Sequence, residues 1–359
     1  PLSGGAPANV GRNIFAHLHK RRKELPFENL KLFAASKYAK GVQQQFSDLE
    51  VITYKNLNSI SKNSVIHIPI SPLIYPNSKF LLHLLAVFKR KKLIFNYHGD
   101  IRKEMQLKWK HEHSLNIFYM PTYIMLPILL KSANKLIVNS YLMSSLVKTR
   151  YRVKNAVVIP NGIEEFWFDE SDKTNIELDG APNLFYHGRL SPEKGVDLLL
   201  KGFSKAVGNS SKAKLYIAAD GSQRKYLEKL CKKFGIEKKV VFLGFIDKKG
   251  IKSYLKSVDM AIYPSIWDNF PSTFMEALIS ANCPVYFSKQ AGIYDFIVRD
   301  GYSLNAFEPT VENITKIIKD VIDGNRDERV VRQQKEFAKQ YTWGKVIGRY
   351  LKVYNDFTI

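Results

Sequence analysis

Short apolar runs alternate with amphipathic stretches along the whole sequence, and this alternation constrains the fold more than any other feature. Most of these runs are apolar almost without interruption, as in parallel strands that are covered on both faces of a sheet. We predict strands at residues 64–69, 92–97, 135–139, 156–159, 183–187, 214–219, 239–243, 260–263 and 284–287.

Stretches with helical periodicity separate these strands. They lie at residues 10–19, 196–206, 223–234, 274–280 and 341–357. Strands that alternate with helices are typical of βαβ units, so we predict an α/β protein with doubly wound parallel sheets. The chain has 359 residues, whereas a single core stops growing at roughly 250–300, which indicates two domains. The polar, acidic segment 164–182 is the predicted hinge between them.

Positive charge is concentrated in the first part of the chain. The formal net charge is +22, and residues 1–150 contain 23 Lys and Arg against 7 Asp and Glu. Such a surface attracts polyanions, including anionic lipid headgroups and nucleic acid. Composition bias in a lysine-rich proteome would give the same excess, so the charge alone leaves the partner open.

The two cysteines, Cys231 and Cys283, are too few for a disulfide scaffold or a Cys-rich metal module. They fit a reducing, cytoplasmic compartment. No run reaches the roughly 18 consecutive apolar residues of a membrane-spanning helix. The best candidate, 117–130, is interrupted by Pro121 and Pro127. The chain begins with Pro rather than Met, so we expect further residues upstream.

A glycine turn with two cations follows the predicted strand 183–187. It runs from Gly188 to Gly195 and includes Arg189 and Lys194. The carboxyl ends of parallel strands are where open α/β sheets bind ligands, and the two cations suit a diphosphate. Solvated surface side chains, which are the usual fate of Lys and Arg, would give the same pattern.

Two carboxylates separated by seven residues flank the start of a predicted helix. Asp268 lies in the preceding loop, and Glu276 is predicted in the first turn after Pro271. Both would face a pocket at the helix N-terminus, where N–H groups bind phosphate and the carboxylates suit sugar hydroxyls. Thr273 and Glu276 also have the spacing of a capping box, in which Glu276 would only cap its own helix.

Together these motifs resemble those of the retaining glycosyltransferases of group 1 (family 4), which have the GT-B fold and transfer sugars from nucleotide diphosphates. The resemblance extends over nearly the whole chain and is carried by the runs FYHGRLSPEKGVDLLLKGF, VVFLGF, DNFPSTFMEALISANCPVYFS and AGIYDFIVRDGYSLNAF. It implies two Rossmann-like domains that face each other across a cleft. The acceptor domain would span residues 1–165 and the donor domain 166–340, with a C-terminal helix at 341–359 that crosses back.

The resemblance also implies roles for individual side chains. Arg189 and Lys194 would hold the donor diphosphate and neutralise the leaving group, next to the glycine turn at Gly188. Glu276 would bind the ribose, and Asp268 would contact the donor sugar.

Further contacts are implied for loops and backbone groups. Phe245 and Ile246 would lie in the loop that touches the nucleobase, and Gly4 and Gly5 would approach the phosphates from the N-terminal domain. His98, at the end of a strand, would lie close to the reacting sugar and the acceptor. Backbone N–H groups at a helix start would cradle the sugar and phosphate, at Ser272, Thr273, Phe274 and Met275.

Three positions depart from the family pattern. Asp268 stands where the family usually has the longer Glu, and a misplacement of about 1 Å can cost ~100-fold in rate. Asn282 stands where glycine is usual, although Asn tolerates a left-handed conformation. The first strand of the family should precede Gly4, where only three residues are present.

Departure of a nucleoside diphosphate builds negative charge that a cation must stabilise. The sequence has no Asp-x-Asp motif and no His/Cys cluster, so we expect Arg189, Lys194 and a helix N-terminus to act without a metal ion or cofactor. A sugar-nucleotide epimerase or a phosphorylase on the same scaffold is the alternative. Epimerases lack the Arg/Lys pair with two acids, and phosphorylases need a lysine-bound pyridoxal phosphate. A basic nucleic-acid-binding protein is more remote, because no such module is recognisable.

The acceptor is expected on the basic N-terminal domain. Residues 115–126 are aromatic and apolar, and the cations Lys103, Lys108 and Lys110 precede them together with Trp109. This combination favours docking on an anionic membrane surface and a glycan or polyprenyl-type lipid-linked acceptor. A helix buried under the first sheet would fit the same run. We therefore predict a cytoplasmic enzyme, peripheral on the membrane face, with no nucleic acid as partner.

Overall fold

The computed structural model describes residues 6–34, 36–53, 60–61, 64–69, 92–112, 120–171, 176–208, 211–325, 327 and 329–357. These residues divide into two compact units. Unit 1 takes its residues from Pro1–Arg102, Leu115–Gly162 and Trp343–Ile359, and unit 2 from Lys103–Ser114 and Ile163–Thr342. The sequence-based domain boundaries are 165/166 and 340/341. They lie within three residues of 162/163 and 342/343, where the chain passes from unit 1 to unit 2 and back.

Every predicted strand is present among the described residues. In chain order the strands are β1 (Lys31–Phe33), β2 (Glu50–Ile52), β3 (Val65–Ile68), β4 (Lys92–Tyr97), β5 (Lys135–Val138), β6 (Ala156–Val158), β7 (Asn183–Arg189), β8 (Lys214–Asp220), β9 (Val240–Phe242), β10 (Met260–Tyr263), β11 (Val285–Ser288) and β12 (Ala306–Phe307). The short strands β1, β2 and β12 were not predicted.

Helices connect these strands, as the alternating pattern predicted. In chain order the helices are α1 (Ala6–Lys20), α2 (Ser36–Gln45), α3 (Ile101–Glu112), α4 (Met120–Lys131), α5 (Tyr141–Tyr151), α6 (Val196–Ala206), α7 (Arg224–Lys233), α8 (Lys248–Ser257), α9 (Ser272–Ser280), α10 (Tyr294–Arg299), α11 (Val311–Ile322), α12 (Arg329–Ala338) and α13 (Trp343–Asn355).

All strand pairs described in both units are parallel. Unit 1 has a two-stranded sheet, β1-β2, and a four-stranded sheet of order β3-β4-β5-β6. Unit 2 has a six-stranded sheet of order β12-β11-β10-β7-β8-β9. The predicted α/β class with parallel sheets is confirmed.

The strand order of unit 2 reverses between β7 and β10. The chain proceeds from β7 outward through β8 and β9, then returns to β10 on the other side of β7 and proceeds through β11 and β12. The two connections leave β7 and β10 in opposite directions, so a crevice opens beyond their carboxyl ends. This edge of the sheet is where an open α/β fold binds its ligand.

Helix α13 packs within unit 1 through its apolar stripe. The predicted stripe residues are all buried: Trp343, Ile347, Tyr350, Leu351 and Tyr354. Polar contacts add to this packing, because the Tyr354 hydroxyl lies 2.5 Å from Nδ1 of His67, and the amide of Asn96 donates to the Tyr350 hydroxyl at 3.0 Å. Burial lowers the pKa of His67 to about 4, so this imidazole is neutral at pH 7.

Helix α4 includes the end of the aromatic, apolar run and is only partly buried. Leu126, Leu129 and Leu130 are in the core of unit 1. On another face, Ile124 is 67% exposed and Ile128 is 64% exposed. A helix buried on every face would hide Ile124 and Ile128. The alternative of a helix buried under the first sheet therefore does not hold for this part of the apolar run. Residues 113–119 lie outside the described residues.

The predicted hinge segment packs onto unit 2 instead of standing apart as a linker. Trp167 is buried, and its carbonyl accepts a hydrogen bond from the Ser280 hydroxyl at 3.2 Å. The ammonium of Lys252 donates to the carbonyl of Phe166 at 2.9 Å. Residues 172–175 of the segment lie outside the described part of the chain. Among the described helices, none has both the length and the apolar character needed to cross a bilayer.

Candidate functional site

The turn after β7 is fixed by a buried tyrosine. The hydroxyl of Tyr186 donates to the carbonyl of Arg189 at 3.1 Å, and burial raises the pKa of Tyr186, which keeps that hydroxyl protonated. Gly188 has a φ of 152°, and a Cβ there would come within 2.9 Å of the Tyr186 hydroxyl. A glycine at this position, near the end of β7, avoids both the strained backbone conformation and the close contact with Tyr186.

The loop after β7 is docked on the loop after β10. Gly195 has a φ of 64°, and a Cβ at this position would collide with the carbonyl oxygen of Pro264. The backbone N–H of Ile266 donates to the carbonyl of Glu193 at 2.9 Å. These contacts fix the two loops relative to each other at the carboxyl edge of the sheet.

Lys194 and Asp268 form an ion pair between these loops. The ammonium of Lys194 donates to Oδ2 of Asp268, and the two side chains are only 14% and 10% exposed. The backbone of Asp268 is itself held, because the N–H of Gly292 donates to its carbonyl at 2.8 Å. Lys194, which was predicted to bind the diphosphate, and Asp268, which was predicted to contact the donor sugar, are thus in direct contact.

Arg189 lies at the same edge but extends into solvent. Its side chain is 74% exposed, and its guanidinium is 3.4 Å from a carboxylate oxygen of Glu193. A surface pair of this kind stabilises the protein by at most about 1 kcal/mol. Its proposed contact with a diphosphate therefore requires a change of rotamer, and its role stays a prediction.

Helix α9 begins at Ser272, with Pro271 in the N-cap position and no side chain capping the helix. The predicted capping box of Thr273 and Glu276 is therefore absent, because neither residue occupies the position that the box requires. Glu276 is the fifth residue of the helix and lies one position beyond its first turn, in contrast to the prediction.

The first backbone N–H groups of α9 have no acceptor within the helix itself. Those of Ser272, Thr273 and Phe274 precede the first hydrogen bond of the helix, which the N–H of Met275 donates to Pro271 at 3.3 Å. The predicted contribution of Met275 to a phosphate cradle is therefore already used within the helix. The Phe274 and Met275 side chains are buried, whereas those of Ser272 and Thr273 are partly exposed.

Glu276 lies beside a buried histidine of β7. Its carboxylate oxygen Oε2 is 3.5 Å from Nε2 of His187, and its side chain is 21% exposed. On its other side the His187 ring meets Tyr263 of β10, whose hydroxyl is 2.7 Å from Nδ1. The Tyr263 hydroxyl on β10, the His187 imidazole on β7 and the Glu276 carboxylate on α9 thus follow one another in space.

The remaining predicted residues are placed separately. Phe245, which is largely exposed, and Ile246 lie in the loop after β9, at the edge of the six-stranded sheet. His98 follows β4 in unit 1, where its Nε2 is 2.8 Å from the Pro69 carbonyl, and burial lowers the pKa of its imidazole. Gly4 and Gly5 lie outside the described residues.

His187 and Tyr263 were not among the residues that the sequence predicted for the site. The signal for His187 is a titratable residue that follows the apolar run Leu184–Tyr186 near the carboxyl end of β7. Tyr263 has no comparable signal, because a tyrosine that ends a buried strand is unremarkable. No group of three or more His, Cys, Asp or Glu residues in the described part of the chain is arranged to hold a metal ion.

The architecture is that of the GT-B glycosyltransferases. HepE of Anabaena, in complex with UDP and glucose, superposes with a TM-score of 0.67 at 17% identity and covers 98% of this chain and 96% of its own. A glycosyltransferase of Rickettsia africae gives 0.66 at 16% identity, with 100% and 96% covered. These similarities establish the fold, and the predicted GT-B architecture is confirmed.

Residues 168–340 match the family model of the glycosyl transferases group 1. An uncharacterized glycosyltransferase of Methanocaldococcus jannaschii is 30% identical over 208 residues, which is 55% of this chain and 53% of that protein. The lipopolysaccharide 1,2-N-acetylglucosaminetransferase of Salmonella typhimurium is 22% identical over 293 residues, with 77% and 76% covered. The matched residues 168–340 make up just under half of the chain, and the chain spans between 53% and 62% of the length of three curated relatives that it matches.

Replacing Gly195 by alanine is expected to destabilise unit 2. The substitution imposes a left-handed conformation on an L residue, which costs roughly 1–2 kcal/mol, and adds the collision with Pro264. We expect a fall in melting temperature at least twice that of Gly324→Ala, where φ is 82° but nothing lies within 4 Å. Thermal unfolding followed by circular dichroism measures both.

Gly208→Ala is the matched control, because Gly208 has neither a positive φ nor a neighbour within 4 Å. Its melting temperature should stay close to that of the wild type. Equal melting temperatures for Gly195→Ala and Gly208→Ala would contradict the docking of the two loops.

Proposed function

We propose that the chain is a retaining glycosyltransferase that moves a hexose from a UDP- or GDP-sugar to a glycan or lipid-linked acceptor. One observation carries this proposal: the Lys194–Asp268 ion pair joins the loops that follow β7 and β10, and Glu276 lies beside His187 of β7, where the strand order of unit 2 reverses. The names of similar proteins support it, because HepE binds UDP and glucose and the Salmonella typhimurium protein is named as an N-acetylglucosaminetransferase.

In this proposal Lys194 and the N-terminus of α9 bind the donor diphosphate. Lys194 sits on a short 3₁₀ turn, Pro192–Lys194, and its ammonium is nearly buried. The uncapped N–H groups of α9 add the positive end of a helix dipole. Arg189 lies on the same turn, and its exposed side chain would leave Glu193 and reach toward the same phosphates. These groups would stabilise the charge that develops as the nucleoside diphosphate leaves.

The two carboxylates would bind hydroxyl groups of the donor. Asp268 contacts Lys194 through Oδ2, which leaves Oδ1 to accept a hydrogen bond from the hexose. Glu276 is set back on α9 and is partly exposed, and it would accept from the ribose. A diphosphate between the sugar and the ribose would then lie over Lys194, in the order that a nucleotide sugar requires.

Lys194→Ala should weaken donor binding by roughly 10- to 100-fold, because it removes a charge-assisted hydrogen bond worth ~1.5–3 kcal/mol. It also leaves the Asp268 carboxylate without its counter-ion next to the phosphates. Glu276→Ala should weaken binding through the ribose. Saturation-transfer NMR with a panel of UDP-, GDP- and ADP-sugars identifies the donor, and a titration with that donor gives the dissociation constants.

Lys233→Ala, which removes an exposed lysine of α7, is the matched control and should bind the donor as the wild type does. The assignment of the site fails if Lys194→Ala and Glu276→Ala both bind every donor with wild-type affinity.

We also propose that transfer proceeds without a divalent ion, since cationic side chains and a helix N-terminus supply the positive charge. Initial rates should be unchanged by excess EDTA and should not rise when manganese is added. Complete loss of activity with the chelator, restored by manganese, would contradict this part of the proposal.

The acceptor is proposed to lie at an anionic membrane surface that unit 1 contacts through α4. Ile124 and Ile128 are one helical turn apart and exposed, and Met120 lies one turn before them. Lys131, at the end of the helix, is exposed as well. Apolar side chains next to cations are the pattern of a helix that docks on anionic lipid.

Flotation with vesicles tests this contact. The protein should float with phosphatidylglycerol vesicles more than with phosphatidylcholine vesicles, and the double variant Ile124→Ser, Ile128→Ser should float several-fold less. Val298→Ser, at an exposed apolar position of unit 2, should float like the wild type. An equal distribution on both kinds of vesicle would remove the membrane from the proposal.

A further inference from the structure

The cluster of His187, Tyr263 and Glu276 contains a buried polar atom that has no hydrogen bond. Nε2 of His187 lacks any hydrogen-bonding partner in the described part of the chain. The side chain is almost fully buried, and the nearest acceptor is Oε2 of Glu276 at 3.5 Å. A buried nitrogen that faces a carboxylate just beyond good hydrogen-bonding distance indicates a contact that shortens when the carboxylate moves slightly.

The proton positions follow from the neighbours of the ring. Burial and the charge of Glu276 raise the pKa of Tyr263 well above its usual value, so its hydroxyl stays protonated and can donate to Nδ1 of His187. Nε2 then carries the hydrogen, which faces the carboxylate. The opposite tautomer would direct the lone pair of Nε2 at Glu276, which is electrostatically unfavourable.

Aromatic packing fixes the orientation of the imidazole. The ring of Phe185 stacks on it with the centroids 5.6 Å apart, and the ring of Tyr263 meets it edge-on at 5.4 Å. Tyr263 in turn packs against Phe274 of α9 at 5.9 Å. Because the ring is held on two sides and anchored at Nδ1, Nε2 has one direction in which to donate, toward Glu276.

We propose that His187, anchored by Tyr263, is a positioning residue that orients the Glu276 carboxylate toward the ribose of the donor. The inference rests on the proposed function, in which Glu276 accepts hydrogen bonds from the ribose hydroxyls. Once the carboxylate moves to shorten the 3.5 Å contact, Oε2 receives the imidazole N–H, and the remaining lone pairs of the carboxylate stay directed at the ligand. Without that N–H, Glu276 would sample other rotamers and lose affinity for the ribose.

The test compares binding of two nucleotides by calorimetry, the nucleoside diphosphate of the identified donor and its 2′,3′-dideoxy analogue. We expect His187→Leu to bind the first about tenfold more weakly, which equals ~1.4 kcal/mol, and the second with unchanged affinity. His187→Gln, whose amide can donate in place of Nε2–H, should restore most of the loss. In a Glu276→Gln background, His187→Leu should add little, because the two residues act on one contact.

The outcomes separate this inference from the proposed function. Weaker binding by Glu276→Ala but not by His187→Leu overturns the positioning role and leaves the donor site intact. Unchanged binding by both overturns the ribose assignment itself. Equal losses for the two nucleotides would mean that His187 only supports the fold. If His187→Leu does not fold, Tyr263→Phe replaces it, since it keeps the ring and removes the anchor, and wild-type affinity in that variant overturns the proposal.

Discussion

The reversal of strand order between β7 and β10 is the constraint on which the site of unit 2 depends. Neighbouring parallel strands end at the same edge of a sheet, so their pairing places Lys194 in contact with Asp268, 74 residues away in sequence. The same pairing puts Tyr263 beside His187. A ligand bound at this edge would contact residues that follow both strands.

The two cations of the turn, Lys194 and Arg189, differ in burial: Lys194 is nearly buried in its ion pair, whereas Arg189 is mostly exposed. Lys194 and Asp268 are nearly buried, and taking them out of water has a cost that only good mutual geometry offsets. The ammonium is held on a short 3₁₀ turn, and in the proposed function this fixed position would be the preorganisation that stabilises the leaving group. Arg189 keeps its hydration and a weak pair with Glu193, so it can reorient toward a phosphate at little cost.

The sequence predicted the strands that contain a run of apolar residues, including the partly buried β3 and β6, and missed the shortest pairings. The bounds of β4 and β10 agree with the prediction, and most residues in these strands are apolar. Strands β1, β2 and β12 have two or three residues, too few to show a period. The role of His187 was missed for a related reason: its partners lie on β10 and α9, and one sequence does not specify which residues face each other across a sheet.

The start of α9 shows why a local pattern failed at the site. Thr273 and Glu276 have capping-box spacing, and either Ser272 or Thr273 would be a good N-cap, yet the cap is Pro271 and no side chain closes the helix. A missing cap costs a helix about 1 kcal/mol. The first N–H groups of α9 are thus not capped by a side chain, and Glu276 does not cap its own helix. In the proposed function this lower local stability is offset when the helix end binds the donor diphosphate.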